Sequence, residues 1–400
     1  MTGPAGGVVR FFDDPDMDFA VRCVLSGVRH GMSEVGETFA AVGEIRDGDA
    51  DGWLETFVAL GRRCRRDADD ARAAGHRHSA WNAALRAANY TYAGAWWAPV
   101  TRWSDSAEEL WAEHRDHWDL AVEHWPRPAM PVRIPHAGTT LPGHWFASPA
   151  ARGDRSPTVV LVQGLGTPIS DVPMTGLDGA LARGHHVVVV DGPGQGATLH
   201  REGRTLAEGW QGVIASTLDW LDTRPEVDPT QVSLLGLGAG ALFAASAAAD
   251  DADGRISALV VDPGVVDLAA DAAAALADAA TDRARALLAS TTTGPTGTAT
   301  LELAVEALAG HRIETERLAA IRCPTLVLHG ESAGSFCGQS DRFVAALTCP
   351  HDVVVLLDER GAGLDEGLDA SQVHDAAVFD WLDATLSRRR GTDDETGAPR

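Results

Sequence analysis

Gln231-Val-Ser-Leu-Leu-Gly-Leu-Gly-Ala-Gly-Ala-Leu-Phe243 passes from an apolar run into a Gly-x-Gly-x-Gly turn and leaves through an alanine-rich segment. A short apolar run bounded by glycines reads as a buried strand, and the alanines after it read as a helix. Small residues at 236, 238 and 240 let the backbone turn sharply and let helix and strand approach closely. A dinucleotide-binding turn is one alternative, but it needs a third glycine three residues after the second, and position 241 is Ala. The other alternative is an ordinary strand-helix turn without chemistry. The rest of the chain chooses among them.

Upstream and downstream, strands alternate with helices. Thr158-Val-Val-Leu-Val-Gln163 and His186-Val-Val-Val-Val-Asp191 are nearly all apolar, as parallel strands covered on both faces must be. Further strands are expected at Val232 to Leu235, Ala258 to Asp262, Pro324 to His329 and Asp352 to Asp358. Val132 to Pro135 and His144 to Ala147 form an expected antiparallel hairpin. Helices are expected at Thr205 to Arg224, after Gly238, around Ala269 to Leu288 and at Ser371 to Leu386. The fold class is therefore α/β, a doubly wound and mostly parallel sheet. Ser290 to Thr298 is expected to be a flexible loop near the top of the sheet, and 388–400 a disordered tail.

The first part of the chain is different. Phe19 to Leu25, Trp53 to Leu60 and Ala80 to Tyr90 space apolar residues three and four apart, and no strand pattern interrupts them. The expected organisation is an all-helical lid domain over 1–130, a core over 131–387 and the tail. Eight of the twelve tryptophans lie in or at the end of this helical part: Trp53, Trp81, Trp96, Trp97, Trp103, Trp111, Trp118 and Trp125. It also holds His30, His76, His78, His114, His117 and His124. Trp111, His114, Trp118 and Trp125 stand at helical spacing, which suits a core or a seam better than a ligand box. The histidines show no metal-binding order, so no metal is expected.

Composition narrows the function. The 400 residues carry a formal net charge of -24, and all 33 basic residues are arginine. That balance disfavours nucleic acid and anionic membrane as partners, and the lack of lysine excludes Schiff-base chemistry. Five cysteines without metal spacing suit a reducing cytoplasm, and no basic-then-apolar leader precedes the first helix. A homodimer is compatible with this reading.

Several motifs coincide with one family. Gly75-His-Arg-His-Ser-Ala-Trp-Asn-Ala-Ala-Leu-Arg-Ala-Ala-Asn-Tyr90, Asp191-Gly-Pro-Gly-Gln-Gly196, Arg224-Pro-Glu-Val-Asp-Pro229 and the Gly236 to Gly240 turn occur in the family's order. The chain resembles the bacterial α/β-hydrolases with a helical N-terminal domain, the group of 2,6-dihydroxypseudooxynicotine hydrolase and the FrsA-like esterases, over about residues 15 to 387. The resemblance makes Gly236 to Gly240 the nucleophile elbow, Gly-x-Ser-x-Gly in the family. Gly238 stands where the serine belongs. By the same resemblance the acid falls at Ala333, within His329-Gly-Glu-Ser-Ala-Gly334, and the histidine at Gly363 or Asp365. None of these supplies the family's side chain, which excludes the ordinary acyl-enzyme route.

The oxyanion hole of the family uses backbone amides and survives such losses. The resemblance therefore implies substrate-binding roles for Gln163, Leu165, Gly166, Gly238, Ala239 and Gln195, with Trp96 and Trp97 from the helical part. Candidates for catalysis are His374, Asp191 and Cys337; Glu331, Ser335 and Asp365 also lie beyond strand ends. Capping or turn-forming is the competing role for each, most clearly for Asp191. The expectation is a cofactor-independent enzyme that is not a hydrolase. It would act on a bulky aromatic, polyketide-like metabolite by carbon-carbon bond formation or cleavage, cyclisation or direct oxygenation, and needs no cofactor. A non-catalytic binding or scaffold protein is the second reading, and a hydrolase with relocated residues, Cys337 or Ser335 with His374, the third.

Overall fold

The computed structural model describes residues 9–279, 281–331, 337–363, 367, 368 and 370–396, and their side chains except those of Cys337 and of residues from 389 onward. The chain divides into two compact units, Met1–His124 and Trp125–Arg400. The break falls a few residues before the expected boundary at 130, because the Trp125 ring packs on Phe146, 5.4 Å away, and joins the second unit.

The first unit is helical throughout its described residues: α1 (Pro15–Ser26), α2 (Val35–Glu44), α3 (Ala50–Ala73), α4 (Arg77–Ala95) and α5 (Ala107–Glu123). Asp14 caps α1 by accepting from the amides of Asp16 and Met17, and Pro15 opens it with its preset φ. Gly61 on α3 permits close approach to α4, where an added Cβ would meet the Thr91 nitrogen at 2.9 Å. Trp53, Phe57, Tyr90 and Trp97 form the aromatic centre, with Trp53 and Trp97 5.5 Å apart. His114 bonds the Ala88 carbonyl through Nδ1 at 2.9 Å, and His117 Nδ1 lies 3.2 Å from the Thr91 hydroxyl. The tryptophan and histidine pattern of α5 is thus a packing pattern.

The second unit holds an eight-stranded sheet of order β1-β2-β4-β3-β5-β6-β7-β8. The strands are β1 (Ala129–His136), β2 (Thr139–Phe146), β3 (Ser156–Val162), β4 (His186–Val190), β5 (Val227–Leu237), β6 (Ile256–Asp262), β7 (Thr325–Gly330) and β8 (His351–Leu356). β1 and β2 form the antiparallel hairpin, β2 runs antiparallel to β4, and the remaining pairs are parallel. Every residue of β4 and β6 is buried. Burying each valine or leucine contributes roughly 1.5–3 kcal/mol, so the central strands dominate the stability of this unit.

Helices follow the strands in order: α6 (Asp178–Ala182), α7 (Gly196–His200), α8 (Val213–Asp222), α9 (Ala239–Asp250), α10 (Leu268–Asp278), α11 (Asp282–Thr296), α12 (Leu301–Leu308), α13 (Thr315–Leu318), α14 (Cys337–Ala346) and α15 (Ser371–Thr396). α8 and α9 share a core with Val160, Val162 and Leu234. Leu235, whose side chain alternates to the other face, meets the turn at Gly176 together with Phe379 of α15.

Four expectations need correction. The expected helix from Thr205 to Arg224 is shortened to α8, because Gly209 and Gly212 adopt φ of 76° and 77°. The expected helix around 269–288 is two helices, α10 and α11. Ser290 to Thr298 is not a loop up to Thr296 but the end of α11, stabilised by threonine hydroxyls that donate to carbonyls four residues back: Thr292 to Leu288, Thr293 to Ala289 and Thr296 to Thr292. The last helix continues to Thr396 instead of giving way to a disordered tail at 388, since arginine is a good helix former and no proline occurs before Pro399.

Candidate active site

The turn between β5 and α9 holds Gly238 at φ 51° and ψ -125°, a conformation that L-residues rarely adopt. Its N–H donates to the Asp262 carbonyl at 2.9 Å, so β6 fixes the turn from one side. The two flanking glycines are required by contact. A Cβ on Gly236 would lie 2.7 Å from the Ala241 α-carbon, and one on Gly240 would collide with the Val162 carbonyl and lie 2.7 Å from that of Gln163. Strand β3 and helix α9 can therefore pack this closely only because position 240 has no side chain.

The loop after β3 lies alongside the turn. A Cβ on Gly164 would stand 3.4 Å from the Leu237 carbonyl oxygen and 3.7 Å from the Ala239 nitrogen. Gln195 braces this loop from the β4 side. Its Nε2 donates to the carbonyls of Gln163 at 2.7 Å and Gly164 at 3.1 Å, while its Oε1 accepts from the Gly192 amide at 3.0 Å. Gln163 donates through Nε2 to the Thr175 hydroxyl at 3.1 Å, and its buried Oε1 has no hydrogen-bond partner among the described residues. Leu165 is half-buried against the core, and Gly166, at φ 77°, faces Thr291 of α11. Residues 163–167 are thus held between the elbow, Gln195 and α11.

Asp191 turns inward. Its Oδ2 accepts from the Ala197 amide at 2.9 Å, its carbonyl accepts from the Thr198 hydroxyl at 2.6 Å, and Gly196 packs against the carboxylate. The carboxylate caps α7. Asp171, in the turn that follows the β3 loop, has its carboxyl pushed up to about 7 by desolvation, opposed by the Ser170 hydroxyl.

Beneath the turn lies a pair of fully buried ionisable groups from different elements. His374 Nε2 of α15 is 3.1 Å from Asp262 Oδ2 at the end of β6. Burial pulls the imidazole pKa down, but the carboxylates of Asp262 and Asp375 outweigh it and set it at about 9. His374 is therefore an imidazolium at neutral pH.

The sheet order, with a strained strand-turn-helix after the third of six parallel strands, places the chain among known folds. The crystal structure of 2,6-dihydroxy-pseudo-oxynicotine hydrolase matches 90% of the chain, over 95% of its own, with TM-score 0.74 and 20% identity. The wild-type protein AbyA5 matches 93% of the chain, over 99% of its own, with TM-score 0.59 and 15% identity. The chain has the α/β-hydrolase fold. No family model matches it. Among curated proteins, the α/β-hydrolase gkaG of Penicillium citrinum is 32% identical over 62% of the chain, and the α/β-hydrolase psoB of Aspergillus fumigatus 30% over 63%. The hydrolase acrC of Aspergillus aculeatus is 27% identical over 60% of the chain. The chain spans 58% to 60% of the length of these relatives.

Of the expected triad positions, Gly238 lies in the turn between β5 and α9. Gly363 abuts Asp358, whose carboxylate would have to move to admit a side chain at 363. Ala333, Ser335 and Asp365 lie outside the described residues, as does the side chain of Cys337, whose backbone begins α14. Glu331 accepts from the Asp358 amide at 3.0 Å and ties the β7 loop to the β8 loop.

One substrate-binding expectation, Trp97, is corrected. Trp97 is fully buried in the core of the helical unit against Trp53, and the half-buried Trp96 packs on the same core. Trp97 fills that unit's centre, whereas Trp96 keeps part of its surface outside it. Sequence reasoning passes over Asp262, which reads only as the last residue of an apolar strand. The available signal is an acidic side chain at a strand's carboxyl end followed by Pro263.

Proposed function

We propose that this protein is a non-hydrolytic, cofactor-independent enzyme that binds an enolate or phenolate at the former nucleophile elbow. The observation that carries the reading is the elbow itself, which keeps the strained backbone of a nucleophile turn at φ 51° and ψ -125° while presenting no side chain at 238. Glycine adopts this conformation without steric cost, and both flanking glycines, the Asp262 carbonyl and the Gln195-braced loop fix the turn in it. What the turn retains is the Ala239 amide at the head of α9, beside the Gly164 loop. A helix N-terminus and its free amides favour a negative oxygen. Without a nucleophile, a bound carbonyl compound is polarised but forms no acyl-enzyme.

The substrate class that suits such a site is a planar, acidic, polycyclic phenol or its enol precursor, and the reaction is carbon-carbon bond formation or cleavage, cyclisation or direct oxygenation. The curated relatives carry hydrolase names, whereas this chain has no serine at the elbow with which to hydrolyse by the ordinary route. Donation to a phenolate is worth roughly 1.5–3 kcal/mol, about 10- to 150-fold in affinity.

The test is a titration of the purified protein with 1,8-dihydroxyanthraquinone and related phenols, with products followed by mass spectrometry in the presence and absence of oxygen. Binding should weaken at least tenfold once the phenol is protonated, and Gly238→Phe should abolish binding in a folded protein. A folded Gly238→Phe variant with unchanged binding would place the function elsewhere. Tight binding without product under any condition would leave a ligand-binding protein, the second reading made from the sequence.

A further inference from the structure

Helices α8 and α9 meet through small residues. Ala215 of α8 and Ser246 and Ala247 of α9 lie on the facing rows, and the space they leave is a cleft of about 410 Å3, within the range of small-molecule sites. One end of it is aromatic. Trp210 and Phe243 stack with their rings 4.4 Å apart, and His311 stands edge-on to Phe243 at 6.3 Å. That end is held in place, because the Trp210 indole donates to the Pro193 carbonyl at 3.1 Å and the His311 backbone is tied to Leu308 and Leu268. Burial holds the His311 imidazole below its ordinary pKa, so it is neutral at pH 7, and its ring nitrogens make no hydrogen bond among the described residues.

The other end is charged, and its charges are unequally satisfied. All three arginines that line the cleft are already ion-paired: Arg255 with Asp219 at 2.6 Å, Arg317 with Asp250 at 2.7 Å and Arg312 with Glu314 at 2.7 Å. The Asp251 carboxylate accepts from the amides of Arg255 at 3.1 Å and Ile256 at 2.8 Å, and Glu208 pairs with Arg204 at 2.9 Å. Asp253 is left without a partner among the described residues. An anionic ligand would therefore find every arginine engaged, whereas a cation would find one unpaired carboxylate in a protein whose formal net charge is -24.

We propose that this cleft is a second small-molecule site, separate from the elbow, and that it takes an arylalkylamine, with the ring against Trp210, Phe243 and His311 and the ammonium toward Asp253. The dimensions suit that class. Phe243 and Asp250 lie on one face of α9, about 10 Å apart along the helix axis, a span that a fused aromatic ring with a two-carbon amine covers. The apolar end supplies most of the affinity by burying the ring. The ammonium stays at the exposed end, where Asp253 offsets its charge without the cost of burying an ion. A carboxylate of the same shape would face Asp253 with like charge, which makes the amine preference a matter of repulsion as well as attraction. The proposal does not depend on the chemistry assigned to the elbow.

The experiment is isothermal titration of the whole protein with tryptamine, indole and 3-indolepropionate at neutral pH. Tryptamine should bind, indole about three- to fivefold more weakly, and 3-indolepropionate about tenfold more weakly or worse; the gap between amine and carboxylate should close in about 1 M salt. Two surface substitutions locate the site. Ala215→Trp, at an exposed position of α8, fills the cleft and should abolish binding, and Asp253→Asn, in the exposed turn before β6, should bring tryptamine down to the affinity of indole. Both leave the buried core of the unit untouched, and far-UV circular dichroism confirms that each variant is folded. No binding of tryptamine, equal binding of amine and carboxylate, or unchanged tryptamine affinity in a folded Ala215→Trp protein would overturn the proposal. The phenol titration does not enter this test, so its failure would reject the elbow reading and leave the cleft standing.

Discussion

Raising the pH should unlock α15 from the sheet, by an amount the buried pair sets. The His374 imidazole has a folded pKa of about 9 against 6.5 for the free side chain. Because the folded value is the higher one, its contribution to stability is fully present below pH 6.5, declines as the pH rises, and is gone above 9. The gap between 9 and 6.5, at 1.36 kcal/mol for each tenfold change in proton affinity, corresponds to about 3 kcal/mol. The assay is urea unfolding followed by far-UV circular dichroism at intervals from pH 6 to 10, on the unaltered protein and on the double variant Asp262→Asn/His374→Gln. Other groups add pH dependence: the Asp171 carboxyl, pushed up to about 7, titrates within the range, and burial pushes the Cys64 thiol from its ordinary 9.0 up to about 11. Both proteins retain them, so the difference between the two isolates the pair. That difference should fall by about 3 kcal/mol across the range. A difference that is constant with pH, or that grows, would refute the assignment of a charged histidine at this position.

Three further outcomes follow from single contacts. Gly240→Ala forces a methyl onto the Val162 and Gln163 carbonyls, fixed backbone that cannot rotate away, and should cost about 2–3 kcal/mol in urea unfolding. Gln195→Ala leaves the Gly192 amide and the Gln163 and Gly164 carbonyls without their buried partner; about 1–3 kcal/mol should be lost, and phenol binding should weaken as the β3 loop loosens. Asp171→Asn removes a carboxyl whose folded pKa, about 7, is above its ordinary value of 3.8. The penalty on the folded protein grows from pH 3.8 to 7, so the variant should melt higher than the parent at about pH 8 and equally at about pH 3, by thermal unfolding.

The fold was largely legible because its signals are redundant. Four consecutive valines follow His186 in β4 and all five residues are buried, the pattern that a parallel strand covered on both faces requires. The elbow was legible for a related reason: Gly236 and Gly240 are each forced by backbone contacts within 3 Å, so their spacing survives the loss of the serine. Segment 290–298 was not legible, because glycine, proline and a run of threonines argue for a loop unless each hydroxyl can close back on a carbonyl, as those of Thr292, Thr293 and Thr296 do. Trp97 came to the ligand list through the resemblance alone, and its 5.5 Å approach to Trp53 shows that it is turned into the helical unit's own core.

The turn keeps the backbone conformation of a nucleophile elbow with glycine in place of a nucleophile. A glycine at 238 relieves the steric cost of φ 51°, so the turn would persist passively if nothing were asked of it. Passive persistence does not extend to the pair below. An unpaired charge left by the loss of either Asp262 or His374 would cost about 3–5 kcal/mol, whereas replacing both with apolar residues would cost little, so a chain drifting away from chemistry has an easy exit that this one has not taken. The carbonyl of Asp262 fixes the elbow, and its carboxylate lies 3.1 Å from Nε2 of His374. One residue therefore touches the elbow with its backbone carbonyl and the buried ring with its carboxylate, and the two contacts are separable: Asp262→Asn keeps the carbonyl and should leave the affinity for a phenolate unchanged while removing most of the pH-dependent contribution of His374 to stability.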